Sequence, residues 1–482
     1  MNQQFLRIER GSKTSMSQPA WCFKRSICLT NEFIQKGCKE CVEFKEVEAD
    51  ATENKKNTDI FCGYGGGMNI LTNSWVEQLN DYMLEYEMEF EIDDEVNNCI
   101  DLDKKRQILR DKIIEQLKTY ILNAPDTQDK DLLRRMHERA RIELLLKHRK
   151  FLIEKGEKII DEYFAKGDDI VPEKISPRLV PVRTKEEWDI FKTARFTWSL
   201  PFSNGYGRRL CFLIMDECNG KLIGILGAHS PALGIKLRNE WLNLKGKDKV
   251  YKLNETMDIF TLGAVPPYNM LLGGKLVAMS AVANEVRDFY REKYSNKKTE
   301  MEQNVISPHL VLFTTTSAYG RSSIYNRVKY KDRLLCFSLG YTKGFGAFKY
   351  TDEISRLMKE YLLLKGIEVK GGYGNGPNYK FRLINTAIRE INKEIDLKKV
   401  LNIESIKQLL KHEVKREVFV FPLASNVFEY INGIDEEVKY YDYKFEELAE
   451  YWKERYLKQR AKTNNEWKYW DKDNLKKYLL IK

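Results

Sequence analysis

Polar side chains that could carry acid–base chemistry lie near the expected strand ends and loops in the middle of the chain. Asp258 lies in the apolar segment 257–265, and Tyr325 and Asn326 lie in Ser322-Ser-Ile-Tyr-Asn-Arg327. Strand ends and loops are the places where a rigid scaffold presents residues to a ligand. We therefore predict a catalytic set of Tyr325, Asn326 and Asp258. The alternative is that Tyr325 is a core tyrosine with one hydrogen-bond partner.

Two glycines followed by a lysine could bind a phosphate group. In Leu271-Leu-Gly-Gly-Lys-Leu276, Gly273 and Gly274 would let the backbone approach a phosphate, and Lys275 would add positive charge at the start of a helix. Gly273, Gly274 and Lys275 are therefore the predicted cofactor-binding residues. The alternative is that the two glycines only allow a helix to pack closely on a sheet.

The charge balance favours a polyanionic partner without requiring one. The chain has 81 Lys and Arg against 71 Asp and Glu, a formal net charge of +10. The predicted nucleic-acid contacts are Arg208, Arg209, Arg321, Ser322, Ser323, Arg327, Lys343, Trp452 and Arg455. The last two belong to a tail, residues 445–482, in which Trp and Tyr are interleaved with Lys and Arg. This tail could stack on bases and bind phosphates, or it could dock its rings on the core as an amphipathic helix.

Five of the nine cysteines occur in the first 62 residues. Cys38-Lys-Glu-Cys41 supplies half of a tetrahedral zinc site, which Cys22 and Cys28 could complete. The alternative is that these are ordinary thiols in a reducing compartment, because the cysteines are too sparse for a disulfide framework. No apolar run approaches the roughly 20 residues that span a bilayer, and the N-terminus lacks the apolar core of a signal peptide. We therefore expect a cytoplasmic protein with no membrane partner.

Hydrophobic periodicity predicts an α/β (α+β) fold. A helical period over residues 73–165 ends at a linker that contains two prolines. After it, Asn219-Gly220 separates two apolar runs and is a strong hairpin signal. The expected strands are 210–216, 221–228, 257–265, 309–316 and 333–339, with one helix over 275–294. The predicted regions are a Cys-containing segment (1–72), a helical domain (73–170), a core (171–360) and a C-terminal extension (361–482).

The order of hairpin, strand, glycine loop, helix and strand is similar to the core of the GNAT acyltransferases. This resemblance implies a mixed-sheet core, here between a helical N-terminal region and a helical C-terminal tail, and an acyl-coenzyme A-like ligand at the glycine loop. It also implies that Tyr325 stands where these enzymes place the tyrosine that protonates the departing thiolate. The sequence departs from the GNAT pattern at Met270, where the loop usually begins with Gln or Arg.

Four long blocks carry a more specific resemblance. They are Trp198-Ser-Leu-Pro-Phe-Ser-Asn-Gly-Tyr-Gly-Arg-Arg209, Met257-Asp-Ile-Phe-Thr-Leu-Gly-Ala-Val-Pro-Pro-Tyr-Asn-Met-Leu-Leu-Gly-Gly-Lys-Leu-Val-Ala278, Thr314-Thr-Thr-Ser-Ala-Tyr-Gly-Arg-Ser-Ser-Ile-Tyr-Asn-Arg327 and Gly340-Tyr-Thr-Lys-Gly-Phe-Gly346. Over residues 170–360 the chain resembles the DruA-like family of antiviral-defence proteins, whose members include a component of the Druantia anti-phage system. The family resemblance implies a role in defence and leaves the reaction open.

These patterns lead to one leading function and two alternatives. The leading hypothesis is a component of a prokaryotic anti-phage system that acts on or binds DNA or RNA, with a GNAT-like acyl or group transferase core. A defence-system protein such as a helicase is the expected partner, because this chain has no Walker A motif of its own. The alternatives are a non-catalytic sensor or adaptor that binds nucleic acid or a partner, and a protein of a mobile element.

Overall fold

A computed structural model describes residues 102–122, 130–200, 207–246, 248–299, 303, 305–318, 320, 322–346, 350–370, 379–411 and 414–480. The strands in these ranges are β1 (Pro177–Pro181), β2 (Arg209–Asp216), β3 (Lys221–His229), β4 (Thr256–Ala264), β5 (Leu312–Thr316), β6 (Lys329–Tyr330), β7 (Arg333–Leu334), β8 (Phe337–Tyr341) and β9 (Glu417–Pro422). The mixed α/β class predicted from periodicity is therefore confirmed.

Helices precede, separate and follow these strands. They are α1 (Leu102–Leu122), α2 (Lys130–Lys147), α3 (Arg149–Phe151), α4 (Glu157–Tyr163), α5 (Lys185–Arg195), α6 (Lys236–Trp241), α7 (Asp248–Lys252), α8 (Gly273–Ser280), α9 (Asn284–Tyr294), α10 (Asp352–Leu364), α11 (Tyr379–Glu394), α12 (Leu397–Leu401), α13 (Val427–Ile431), α14 (Phe445–Trp452), α15 (Lys458–Thr463) and α16 (Lys472–Leu479). Two π-helical turns, Leu152–Gly156 and Lys453–Leu457, interrupt the long helices that contain α3–α4 and α14–α15. No helix among the described residues is long and apolar enough to cross a membrane.

Seven strands form one sheet in the order β1-β2-β3-β4-β5-β9-β8, and β6 pairs with β7 in a separate hairpin. Every neighbouring pair in the large sheet is antiparallel except β4 and β5. The parallel pairing covers only Thr256–Asp258 against Leu312–Thr314. The Thr315 hydroxyl extends the contact by donating to the Ile259 carbonyl at 3.1 Å. The rest of β4 pairs with β3 alone.

The β2–β3 hairpin predicted from Asn219-Gly220 is confirmed. Gly220 has a φ of +69°, a conformation that glycine adopts without steric cost. Both strands are buried along nearly their whole length because helices cover both faces of the sheet. An added Cβ on Gly224 would lie 2.6 Å from Val277 of α8, and one on Gly227 would lie 2.8 Å from Phe191 of α5. Helices on opposite faces therefore pack directly on the β3 backbone.

Two elements predicted as continuous are divided in the structure. The helix expected over 275–294 is broken between α8 and α9, because Ala283 is extended and Asn284 binds another segment. The Asn284 backbone N–H donates to the Tyr443 carbonyl at 2.8 Å, and the Tyr443 N–H donates to the Asn284 side-chain oxygen at 2.9 Å. The strand expected over 333–339 is likewise split into β7 and β8. A contact with a distant segment therefore decides the first break, whereas β7 pairs with its neighbour β6.

The core consists of several clusters of buried side chains. The largest joins the sheet to α8, α9 and α14, and a second joins α1 to α10, α11 and α12. Helix α4 packs against α5 and α16. The first described helix therefore packs on helices that lie between β8 and β9 in the chain.

Candidate nucleic-acid interface

The predicted phosphate cradle makes close contacts inside the protein. The Gly273 N–H donates to the Tyr268 carbonyl at 2.8 Å, and a Cβ on Gly273 would lie 2.8 Å from that oxygen. Leu272 has a φ of +60°, and its carbonyl accepts from the Trp452 indole N–H at 3.0 Å. Gly274 is more open, since its added Cβ would meet Ile324 at 3.6 Å. Gly273 therefore has a close-packing role that Gly274 does not share.

Lys275 holds the loop that contains Tyr325 and Asn326, two of the three predicted catalytic residues. Its ammonium donates to the carbonyls of Ser323 at 2.7 Å and Ile324 at 2.9 Å, and also to that of Asn326. Burial lowers the pKa of Lys275 to about 8. Three carbonyl acceptors on one ammonium fix the backbone of this loop relative to α8.

Tyr325 belongs to this loop, and its side chain is packed in the core and only 8% exposed. Its ring centroid is 5.0 Å from that of Phe419 and 5.9 Å from that of Phe421. Burial raises the pKa of Tyr325 to about 12, while a hydrogen bond with Thr315 opposes the shift. The side chain is therefore a neutral phenol within the aromatic core at neutral pH. Asn326, the next residue, is half-buried.

Asp258 lies in a separate buried polar network. Its carboxylate accepts from the Ala232 backbone N–H at 2.7 Å and from the Arg238 guanidinium at 3.1 Å. The side chains of Arg238 and Asp258 are 0% and 8% exposed. Burial raises the pKa of Asp258, and the nearby Arg238 charge opposes that rise. The network ties the segment after β3 to the start of β4.

The predicted nucleic-acid contacts do not form one group. Arg208 points inward, where its guanidinium donates to the Tyr290 hydroxyl and the Asn254 carbonyl. Trp452 is fully buried in the core cluster that includes α8. Of the others, Arg327, Lys343, Ser323 and Arg455 are exposed, and Arg209 and Ser322 are half-buried. Arg321 and the predicted zinc ligands Cys22, Cys28, Cys38 and Cys41 lie outside the described residues, within which no group of metal-ligating side chains is present.

Arg327 and Arg455 lie at one end of a row of aromatic rings, of which two are buried and four are half-buried. We call this row the tyrosine strip, and its members are Tyr330, Tyr440, Tyr441, Tyr443, Tyr451 and Tyr456. The ring centroids of Tyr441 and Tyr443 are 5.6 Å apart in a stacked arrangement. Tyr330 lies edge-on to Tyr443 at 5.5 Å and to Tyr451 at 5.2 Å. Ring contacts therefore connect four members of the strip, in the order Tyr441, Tyr443, Tyr330 and Tyr451.

Two hydrogen bonds hold the tail against the β6–β7 hairpin. The Tyr451 hydroxyl donates to the Lys331 carbonyl at 3.3 Å, and the Tyr456 hydroxyl donates to the Arg327 carbonyl at 3.2 Å. Arg327 and Lys331 have φ values of +57° and +53°, so the backbone turns sharply at both residues. The tail therefore positions the cations of the hairpin beside the rings.

Four rings of the strip are each paired with a cation. The Arg287 guanidinium lies 4.2 Å from the Tyr440 ring centroid, and the Arg333 guanidinium lies 4.2 Å from that of Tyr441. The corresponding distances are 5.0 Å from Lys331 to Tyr330 and 5.6 Å from Arg455 to Tyr456. A cation within about 6 Å of a ring centroid is attracted to the ring face. Four of the six rings therefore have a cation over the ring.

An open groove of about 520 Å³ lies within this strip. One wall is the β6–β7 hairpin, and the other is Tyr440-Tyr-Asp-Tyr443. Sequence reasoning identified Arg327 and Arg455 but missed this second wall. The signal that could have revealed it is the run of three tyrosines within four residues just before the tail.

Comparisons with known proteins identify the family. The model of the family described as Druantia protein DruA matches residues 127–433. The chain is 32% identical over 382 residues to a Druantia protein DruA from Escherichia coli (strain UMEA 4076-1), across 77% of this chain and 91% of that protein. No solved structure matches the chain significantly. The family match covers more than half of the chain, and the chain therefore belongs to the DruA family.

Proposed function

We propose that this chain is a component of Druantia-type anti-phage defence that binds nucleic acid through the tyrosine strip. Family membership supports the defence role. The observation that supports nucleic-acid binding is that four tyrosine rings of the strip each have an Arg or Lys side chain over the ring. We further propose that the protein works in the cytoplasm, where a partner such as a helicase would act on the strand that it holds.

Each type of side chain in the strip suits one part of a nucleic acid. Aromatic faces stack on bases without strong sequence preference, and Lys and Arg side chains bind the phosphate backbone. The cations at the strip are Arg287, Arg327, Lys331, Arg333 and Arg455, against the carboxylates Asp332, Asp442 and Glu447. The five positive charges outnumber the three negative charges, two of which also accept a hydrogen bond, Asp442 from Asn284 and Glu447 from Tyr330. The surface therefore favours a polyanion.

Salt-dependent binding tests this proposal. We expect binding to short DNA and RNA oligonucleotides to fall steeply with salt, because phosphate contacts release counterions. Arg333→Ala should weaken binding and reduce the slope of log K against log salt by about 0.7–0.9, the amount that one phosphate contact contributes. Lys398→Ala, at an exposed position in α12, is the matched control and should change neither quantity. Unaltered binding by the Arg333 variant would refute the strip as the interface.

A group-transfer reaction is the second candidate. Its support is the mixed seven-stranded sheet with one parallel pair, beside which Tyr325 and the Gly273–Lys275 turn lie. The fit to an acyl-coenzyme A-like ligand is poor, because the Gly273 N–H, the Leu272 carbonyl and the Lys275 ammonium already bind protein groups. Tyr325 is enclosed by aromatic side chains. We therefore favour the non-catalytic sensor or adaptor and derive no transfer step.

A further inference from the structure

The walls of the groove in the tyrosine strip have different chemical characters. The Tyr440–Tyr443 wall presents rings whose neighbours are Arg287 and Arg333. The hairpin wall presents Lys331 and Asp332 at its tip, where both side chains are exposed. The groove has a volume of about 520 Å³ and is open to solvent. A planar heterocycle can therefore reach its walls from solvent.

The two arginines make the aromatic wall suitable for unpaired bases. A guanidinium stacked on a tyrosine extends the flat surface on which a second planar group can lie. The Arg287 Nε atom is buried and has no hydrogen-bond partner among the described residues. Bases in a duplex cover one another's faces and expose only their edges to the grooves, so stacking on a wall requires a base that has left the duplex.

One of the three carboxylates in the groove makes no hydrogen bond or ion pair within the described part of the chain. Glu447 accepts from the Tyr330 hydroxyl at 3.0 Å, and Asp442 accepts from the Asn284 amide. Asp332 has no hydrogen bond or ion pair with any residue that the structure describes. A carboxylate repels phosphate and accepts hydrogen bonds from the exocyclic amino groups of bases. Asp332 therefore favours a base inside the groove and the phosphates outside it.

We infer that the groove receives an unpaired base that carries an exocyclic amino group, with Asp332 as the specificity-determining acceptor. This inference rests on the proposed nucleic-acid function of the strip. The base stacks on the Arg333 guanidinium, which lies over the Tyr441 ring, and its amino group donates to the Asp332 carboxylate. Cytosine, adenine and guanine carry such a group. Thymine and uracil present a carbonyl oxygen at the corresponding position, which the carboxylate repels.

Binding of homopolymers to the full chain tests the inference. We expect oligo(dC) to bind about tenfold more tightly than oligo(dT), the ratio that ~1.4 kcal/mol represents. Asp332→Ala should weaken oligo(dC) binding and leave oligo(dT) binding unchanged or tighter, because it removes both an acceptor and a negative charge. A purely electrostatic role for Asp332 would instead tighten binding to both homopolymers. Glu436→Ala, at an exposed position outside the groove, is the charge-matched control and should preserve the preference for oligo(dC).

The outcomes separate this inference from the proposed function. No binding to any homopolymer or duplex would overturn both. Equal binding of oligo(dC) and oligo(dT) by the unaltered protein would overturn the amino-group preference and leave nucleic-acid binding standing. Tighter binding to a duplex than to either single strand would overturn the unpaired base. Tyr441→Leu should weaken both homopolymers, because it removes the ring and keeps an apolar side chain.

Discussion

Replacement of Trp452 provides the sharpest test of the tail. The side chain is 0% exposed, and its indole N–H donates to the Leu272 carbonyl at 3.0 Å. Truncation of a buried tryptophan to alanine costs about 3–5 kcal/mol. Loss of the hydrogen bond leaves a carbonyl unsatisfied and adds about 1 kcal/mol. We therefore expect Trp452→Ala to lower the free energy of unfolding by about 4–6 kcal/mol, summed over these two effects.

Urea denaturation followed by circular dichroism measures this loss. Tyr469→Ala is the matched control within the tail, because Tyr469 is 85% exposed and exposed substitutions change stability by about 0.5 kcal/mol or less. Trp452→Phe keeps an aromatic ring and removes the donor, so we expect a smaller loss of stability and wild-type affinity for nucleic acid. A Trp452→Phe protein with wild-type stability and lost binding would refute the packing role and show that the indole contacts the ligand.

Two further predictions concern residues expected from the sequence to be functional. Gly273→Ala should destabilise the protein, since its Cβ would lie 2.8 Å from the Tyr268 carbonyl oxygen. Gly274→Ala should be neutral or stabilising by up to about 1 kcal/mol, because alanine favours helix. Equal unfolding midpoints for the two variants would contradict this prediction. Asp258→Ala should lower the free energy of unfolding by about 3–5 kcal/mol, because it leaves Arg238 charged and buried. Thermal unfolding would detect this loss. A double variant that also carries Arg238→Met should recover part of the lost stability.

The sequence predicts well those elements that local chemistry determines. The β2–β3 hairpin follows from Asn219-Gly220 between two apolar runs, and the strand that became β4 was expected within one residue of each end. The break between α8 and α9 could not be predicted, because it depends on Asn284 binding a segment about 160 residues further along the chain. The hydrophobic periodicity of residues 275–294 carries no information about that contact.

The candidate site was only partly predictable for the same reason. Arg327 and Arg455 were expected to contact nucleic acid, and the structure brings the segments that carry them together through Tyr456. The same basic and aromatic pattern also predicts contacts by Arg208 and Trp452, but burial directs their side chains into the protein. The sequence shows which residues are basic or aromatic, whereas packing decides which of them reach the surface.

The origin of the two groove walls has a consequence for protein engineering. The hairpin wall lies inside the residues that match the DruA family model, and the Tyr440–Tyr443 wall lies after residue 433, where that match ends. A chimera that kept this chain up to residue 433 and took its remaining residues from another family member would retain the sheet and the hairpin but exchange the aromatic wall. Such a chimera would keep Asp332 and the base preference that it sets, and it would change the strength of stacking, which the Tyr440–Tyr443 wall provides.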